Sequence, residues 1–200
     1  MIQAIRARLL CRTKELLRAR LLRVTTVRRF AQGEDAMTTV EFGLIALPFF
    51  ALVFAILETA MIFFAGQTLE TAVADSARLI LTGQAQSQGF TQSEFQNAVC
   101  ARIYGLINCQ GGLQIDVRTF SSFSSITTTP PIDSNGNLQT STFGYSPGTA
   151  CEIVLVRLMY AWPVYFTMLG LGNVADLSGN QHLIMATAAF RNEPFGSGSC

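Results

Sequence analysis

The longest hydrophobic stretch of the chain predicts a helix that crosses a membrane. Residues 42–57 carry no charged side chain, and after Glu58 the apolar sequence continues to Gly66. A membrane helix needs about 20 predominantly apolar residues. Residues 42–66 contain fourteen Leu, Ile, Val or Phe residues. Together these favour insertion by about 4–8 kcal/mol, whereas one acid at the helix centre costs about 3 kcal/mol. We therefore predict a transmembrane helix over 37–66, with Glu58 near its outer end.

The helical pattern does not stop where the apolar run ends. Leu69 and Val73 continue an apolar stripe at helical spacing, and no Gly or Pro interrupts residues 67–82. The membrane helix is therefore expected to continue outwards as one helix of about 40 residues, roughly 60 Å long. Gly83 is the predicted stop, and Pro48 is a predicted kink within the span.

The rest of the chain predicts one more helix and three strands. The second helix begins with the capping-box sequence of Thr91 and Glu94 and extends over residues 91–107. Alternating or continuously apolar segments predict strands at residues 113–120, 152–162 and 183–191. The predicted fold class is α+β, with a long N-terminal transmembrane helix, a second helix and a small, mostly antiparallel sheet.

A polar connector separates the first two predicted strands. Residues 121–150 contain 13 Ser or Thr residues and a single charged residue, Asp133. A loop of this length is uncommon in a compact domain, so we expect either an interaction surface or a mobile segment. The dipeptide Asn135-Gly136 favours a small hairpin within it.

Charge is distributed unevenly along the chain. Residues 1–36 hold nine basic and three acidic residues, a net charge of +6, whereas the remaining residues carry −5. Basic residues beside an apolar span stay in the cytoplasm, which predicts a cytoplasmic N-terminus and a domain on the far side. The same arm also fits an amphipathic helix on anionic lipid, or an organellar transit peptide. A cleaved signal peptide is disfavoured, because the basic and apolar regions of a signal peptide are shorter than those of this chain.

Cysteine placement predicts disulfides on the far side. Cys11 lies in the cytoplasmic arm and is expected to be a free thiol. Four cysteines lie on the far side, where oxidising conditions favour disulfides: Cys100, Cys109, Cys151 and Cys200. Of their three possible pairings, Cys100 with Cys109 is the local one. It requires the helix to end near Gly105, because nine residues of unbroken helix would separate these cysteines by about 13.5 Å. Cys151 and Cys200 then remain.

Candidate catalytic and metal-binding residues are sparse. The chain has one histidine, His182, with no obvious acidic partner, and it has no CxxC motif. No phosphate loop, dinucleotide fingerprint or GxSxG sequence occurs. Trp162 and Tyr160 alternate with apolar neighbours and are interpreted as core residues. We expect no enzymatic activity, no cofactor, no metal and no nucleic-acid partner.

The junction before the span carries the most specific motif. Residues 36–50 read AMTTVEFGLIALPFF, with Glu41 and Phe42 ahead of the apolar run and Pro48 within it. This sequence resembles the start of type IV pilin-like proteins, and more closely the TadE-like minor pilins of tight-adherence (Flp) pilus systems. The segments VLVRLMYAWPVYFTML and LIMATAAFRNEPF are similar to the end of such proteins. The resemblance covers about residues 36–195.

This resemblance implies a domain organisation and a set of partners. It assigns residues 37–66 to the transmembrane helix and 67–200 to a periplasmic pilin-like domain. It does not explain the long basic leader, residues 1–36, which the charge pattern assigns to the cytoplasm. A prepilin peptidase would cut between Ala36 and Met37, although Ala36 stands where pilins usually carry Gly.

Glu41 would pair with the new α-amino group of a neighbouring subunit, and Phe42 and Pro48 complete the assembly motif. The implied partners are membrane lipid, the peptidase, other pilins or pseudopilins and the pilus assembly platform. The implied location is the bacterial inner membrane or the pilus. The alternative is an unprocessed, membrane-anchored domain that binds components of the cell envelope.

Overall fold

A single long helix, α1, begins at Glu34 and ends at Leu81 in the computed structural model. The structure describes residues 34–103, 105, 107–165, 175–196 and 200. The predictions for the basic arm over residues 1–33, including the free thiol of Cys11, lie outside the described residues.

Helix α1 runs without interruption through Pro48 and Gly66, which confirms that the apolar helix continues beyond its hydrophobic run. It ends where the sequence predicts. Gly83 adopts a left-handed φ of +74°, and its N–H donates to the carbonyl of Ile80. A Cβ at Gly83 would lie 2.4 Å from the ring of Phe195, so only glycine fits this helix end without strain or displacement.

Two compact units divide the chain between Leu52 and Val53. The described part of the first unit is helix alone, from Glu34 to Leu52. The second unit holds the rest of α1, two 3-10 helices (Phe123–Ser125 and Thr140–Thr142) and the other described helices and strands. These are α2 (Gln84–Ser87), α3 (Gln92–Cys100), α4 (Cys109–Gly112), β1 (Leu113–Phe120), β2 (Ile153–Pro163) and β3 (Gln181–Arg191).

The three strands form one antiparallel sheet in the order β1-β2-β3. Phe120 pairs with Ile153 at one end of the β1–β2 ladder, and Leu113 pairs with Tyr160 at the other. Strand β3 pairs with β2 along its whole length. The predicted α+β class is confirmed, and all three predicted strands are present within two residues of their expected bounds.

One face of the sheet packs against α1 and α3. Leu69 and Ile80 of α1 are fully buried in the same cluster as Val156 and Leu158 of β2. Helix α3 adds Phe95, which is also fully buried. Each such side chain stabilises the fold by about 1.5–3 kcal/mol when it leaves water. This core explains why α1 keeps its apolar stripe beyond the hydrophobic run.

The opposite face of the sheet is covered by the Ser/Thr-rich connector. Ile132, Leu138 and Phe143 pack against a second buried cluster that contains Met159 and Leu183. The predicted turn is present, because the N–H of Gly136 donates to Asp133 and Ile132 bridges to Leu138. Part of the connector is therefore a structural layer, a role that its polar composition did not predict.

The second predicted helix is shorter than expected. The capping box is confirmed: the N–H of Glu94 donates to the Thr91 hydroxyl, and the Glu94 carboxylate accepts from the Thr91 N–H. Helix α3, however, ends at Cys100 and not near Gly105. Turns follow directly, with the N–H of Arg102 donating to the carbonyl of Val99. Because α3 ends at Cys100, residues 101–108 are left to connect it to α4, which begins at Cys109.

Candidate assembly site on the long helix

The motif residues lie on an exposed part of α1. Met37, Glu41, Ile45 and Pro48 are spaced by four, four and three residues, so they share one helix face. All four are exposed, and Glu41 forms no ion pair with any other described residue. The Ala36–Met37 bond lies in the first turn of the helix. The arrangement presents one carboxylate within an apolar face.

Large apolar side chains surround this motif. Seven of them between residues 42 and 52 are each more than half exposed: Phe42, Leu44, Ile45, Leu47, Phe49, Phe50 and Leu52. Among the described residues, one helix is long and apolar enough to cross a membrane, Met37–Leu81. Its most apolar stretch has a mean hydropathy of 2.4, and only 6% of that stretch is buried. This exposure is unlike that of a core helix and is consistent with a single-pass membrane protein.

Residues 36–78 match the family model of TadE-like proteins. The match begins at the alanine of the proposed cleavage site and ends within α1, so it covers the exposed apolar helix and its continuation into the second unit. No curated protein and no solved structure matches the chain. The suspected resemblance is confirmed over the matched residues, which we term the TadE-like segment. The match likens 43 of the 200 residues of this chain to TadE-like proteins.

Within the second unit, the TadE-like segment contacts the end of the sheet. The N–H of Tyr165, two residues beyond β2, donates to the Glu58 carboxylate at 2.5 Å. Gly66 faces β3 closely, since a Cβ there would lie 3.8 Å from Ile184. Ala65 is fully buried. The last turns of the expected span therefore pack against the sheet on one side.

The structure brings Cys100, Cys109, Cys151 and Cys200 together in two pairs. Cys100 at the end of α3 is bonded to Cys109 at the start of α4, with a Cα–Cα distance of 5.6 Å. Cys151, just before β2, is bonded to Cys200 with a Cα–Cα distance of 5.5 Å. Cys100, Cys109 and Cys151 thus lie at or beside the ends of secondary-structure elements, and each bond limits the separation of the two segments that it joins.

A charged cluster lies on the connector side of the sheet. The Asp116 carboxylate accepts hydrogen bonds from Arg157, Arg118 and the N–H of Gly144. Burial acts to raise the pKa of Asp116, but the hydrogen bonds from Arg157, Gly144 and Arg118 outweigh it and hold the pKa below its usual value. Arg118 also donates to the carbonyl of Thr142. The cluster therefore ties the connector to β1 and β2.

The single histidine of the chain has an acidic partner that was not evident from the sequence. Nδ1 of His182 lies 2.7 Å from the Asp176 carboxylate. His182 is the second residue of β3 and does not precede the strand. The turn over Ser178, Gly179 and Asn180 reverses the chain and brings the two residues together. The Ser-Gly-Asn sequence is typical of a turn, and it is the feature of the sequence that could have predicted that Asp176 and His182 lie close together.

Other candidate chemistry is limited in the described part of the chain. No group of three or more His, Cys, Asp or Glu side chains there has the arrangement to hold a metal ion. Trp162 is buried, as predicted, whereas Tyr160 is only partly buried and its hydroxyl accepts a hydrogen bond from the Asn108 N–H.

Proposed function

We propose that this protein is a minor pilin or pseudopilin that takes part in assembly of a tight-adherence (Flp-type) pilus. The observation that carries the proposal is the coincidence of the TadE-like match over 36–78 with an exposed apolar helix that continues into a folded domain. Such a helix buries its apolar face either in lipid or against other helices of the same kind. Both environments are required of a subunit that leaves the membrane for a fibre.

Glu41 supplies the specific contact in this proposal. A carboxylate in an apolar setting is costly unless it is paired. After cleavage between Ala36 and Met37, the new α-amino group of a neighbouring subunit provides a positive partner. Pairing of that amine with Glu41 would set the axial register between helices, while Phe42 and the residues around Pro48 supply apolar contact.

The proposed partners follow from the same helix. In the inner membrane, the helix contacts lipid and is a substrate of the prepilin peptidase. During assembly, it contacts other pilins or pseudopilins and the assembly platform. The proposed orientation places the N-terminus in the cytoplasm and residues 67–200 in the periplasm, because the basic arm precedes the span. A reporter that is active only outside the cytoplasm, fused after Gly198, tests this orientation and should be active.

N-terminal sequencing tests the proposal itself. The protein is purified from cells that contain the prepilin peptidase and from cells that lack it. We expect a chain that begins at Met37 only when the peptidase is present. Ala36→Leu should block cleavage, because a bulky residue fills a site that accepts small ones. The uncut product should be about 4 kDa heavier, the mass of about 36 residues.

One feature favours the alternative function. Ala36 stands at the cleavage position in place of the usual Gly, which fits an envelope-binding domain that keeps its leader. If the chain retains residues 1–36 in both strains, this alternative replaces the pilin proposal.

A further inference from the structure

A patch of exposed aromatic and apolar side chains surrounds the contact between α1 and the end of β2. Tyr165 is 77% exposed, and its backbone N–H is held at the level of Glu58 by the hydrogen bond to that carboxylate. Phe54, Leu57 and Met61 of α1 are exposed beside it. Together with Trp162 they line an apolar recess of about 300 Å³.

The position of this patch along α1 matches a membrane surface. Residues 38–57 are 20 residues long, which corresponds to about 30 Å of helix and to the thickness of a hydrocarbon core. If the span begins near Thr38, the outer boundary of the hydrocarbon falls at Glu58. The end of the sheet then lies in the headgroup zone, where Trp and Tyr side chains are enriched in membrane proteins.

The charges around the patch indicate whether electrostatic attraction or apolar burial would hold it on a membrane. Neither residues 37–77 nor residues 158–190 contain a Lys or Arg. Among the described residues, the carboxylate and imidazole groups at this end are those of Glu58, Glu70, Asp176 and His182. Attraction to anionic headgroups therefore cannot draw this surface to the bilayer, and aromatic and apolar burial remains as the driving force.

We propose that Tyr165, at the end of the sheet, together with Glu58 of α1 and the recess that the largely buried Trp162 lines, is a membrane-contact surface that inserts into the outer headgroup zone of a zwitterionic bilayer. The contact fixes the folded domain directly on the membrane before assembly. It shortens the lipid-embedded helix to about residues 38–57, because the helix beyond Glu58 is flanked by the domain. The inference rests on the membrane anchor of the proposed function, but not on cleavage or on entry into a fibre.

Nitroxide labels report whether a side chain faces lipid, water or protein. The full-length chain with Cys11→Ser is labelled at Tyr165→Cys and reconstituted as single copies in phosphatidylcholine nanodiscs. Phe123→Cys is the matched control, because Phe123 is also an exposed aromatic residue but follows β1 at the opposite end of the sheet. Strand β2 separates these ends by about 33 Å. Leu47→Cys reports the centre of the span.

A lipid-facing label is accessible to oxygen and protected from a polar nickel reagent. The ratio of oxygen accessibility to nickel accessibility should be several-fold higher at position 165 than at position 123. It should be lower at position 165 than at position 47. Anionic lipid should not raise the ratio, because this surface carries carboxylates and no Lys or Arg. If position 47 is embedded but position 165 behaves like position 123, the inference fails while the anchor stands. If position 47 is in water, the anchor fails as well.

A label at position 165 that is protected from both reagents would mean that protein covers the patch, which also overturns the inference. The unmodified chain offers a second measurement that does not depend on a folded variant. Trp162 is the only tryptophan. Lipids brominated near the headgroup should quench its fluorescence more strongly than lipids brominated near the chain end. Equal and weak quenching by both lipids would contradict the contact.

Discussion

Asp116 of β1 lies directly opposite Arg157 of β2, and their side chains form a buried ion pair beneath the Ser/Thr-rich connector. Both side chains are almost completely buried, whereas that of the second partner, Arg118, is 39% exposed. The same carboxylate accepts the N–H of Gly144 from the connector. One acid therefore joins two strands and the layer that covers them.

Removal of this carboxylate should destabilise the folded domain strongly. Asp116→Ala leaves the Arg157 charge buried without its partner, a change that typically costs about 3–5 kcal/mol. Arg118→Ala is the matched control, and we expect less than about 1 kcal/mol because its side chain is partly solvated. Urea unfolding of the full chain in detergent micelles, followed by Trp162 fluorescence, measures both. Equal losses in the two variants would contradict the dominant role of the Arg157 pair.

Acid should selectively weaken the contribution of Asp116. Since its pKa is lowered in the folded state, the carboxylate stabilises the fold above its unfolded pKa of about 3.9. That contribution is lost as the pH falls through the lower folded value. The difference in unfolding free energy between the wild type and Asp116→Asn should therefore be large at pH 7 and shrink below about pH 4. A difference independent of pH would exclude this linkage.

Removal of the Tyr145 hydroxyl should not destabilise the fold, in contrast to removal of the Asp116 carboxylate. Its ring packs against Phe95 at 5.5 Å between centroids, and its buried hydroxyl has no hydrogen-bond partner among the described residues. Tyr145→Phe should leave stability at pH 7 unchanged or increase it by up to about 1 kcal/mol. Tyr160→Phe is the control and should lose about 0.5–1.5 kcal/mol, because the Tyr160 hydroxyl accepts the Asn108 N–H. Thermal unfolding compares the two variants, and a loss in Tyr145→Phe would mean that its hydroxyl is satisfied.

Burial, followed by the negative charge of Glu94, raises the pKa of Tyr145 to about 12. An acid with a raised folded pKa stabilises the fold below its unfolded pKa of about 10, and that contribution is lost as the pH rises towards the folded value. Tyr145→Phe should therefore lose less stability than the wild type between pH 8 and pH 11. Identical losses would show that the pKa of Tyr145 is the same in the folded and unfolded states, so that folding does not raise it.

Local sequence determined the elements that could be predicted. The bounds of β1 were correct because the alternation in residues 113–120 is a property of the strand itself. The Thr91 capping box and the Gly83 helix end were correct for the same reason. Each depends on a few neighbouring residues whose conformations are restricted by sterics or by short-range hydrogen bonds.

Contacts between distant segments were not predictable in this way. Asp116 and Arg157 are 41 positions apart, and their pairing depends on the register of two strands. The covering role of the connector depends on which face of the sheet α1 leaves free. For the same reason, the exposed patch around Tyr165 was not predictable, because it depends on the contact between the end of β2 and Glu58.

The two disulfides should contribute unequally to stability. The bonded residues are separated by 9 positions for Cys100–Cys109 and by 49 for Cys151–Cys200. If stabilisation arises mainly from loop closure in the unfolded chain, the bonds contribute about 2.6 and 4.1 kcal/mol respectively. The double variants Cys100→Ser/Cys109→Ser and Cys151→Ser/Cys200→Ser test this by urea unfolding. A larger loss from the shorter loop would indicate that local constraint on α3 and α4 outweighs loop entropy.

Glu41 is predicted to act in assembly and not in folding. Glu41→Ala removes a carboxylate from the edge of the apolar run, so membrane insertion should be unimpaired. The Gly198 reporter and the protein level should stay near wild type. Association with other pilins should fall, because the partner amine loses its counter-charge in an apolar environment. Co-purification from detergent-solubilised membranes measures this loss.

The matched control is Glu70→Ala, an exposed glutamate on the same helix that lies beyond the apolar run and is bonded to Gln67. It should co-purify with the other pilins as the wild type does, since its carboxylate lies outside the apolar segment. Glu41→Asp keeps the charge on a shorter side chain and should restore part of the association. If Glu41→Ala co-purifies normally, the pairing role is wrong. If Glu41→Ala disappears from the membrane, Glu41 acts in insertion, and the register between helices must depend on other contacts.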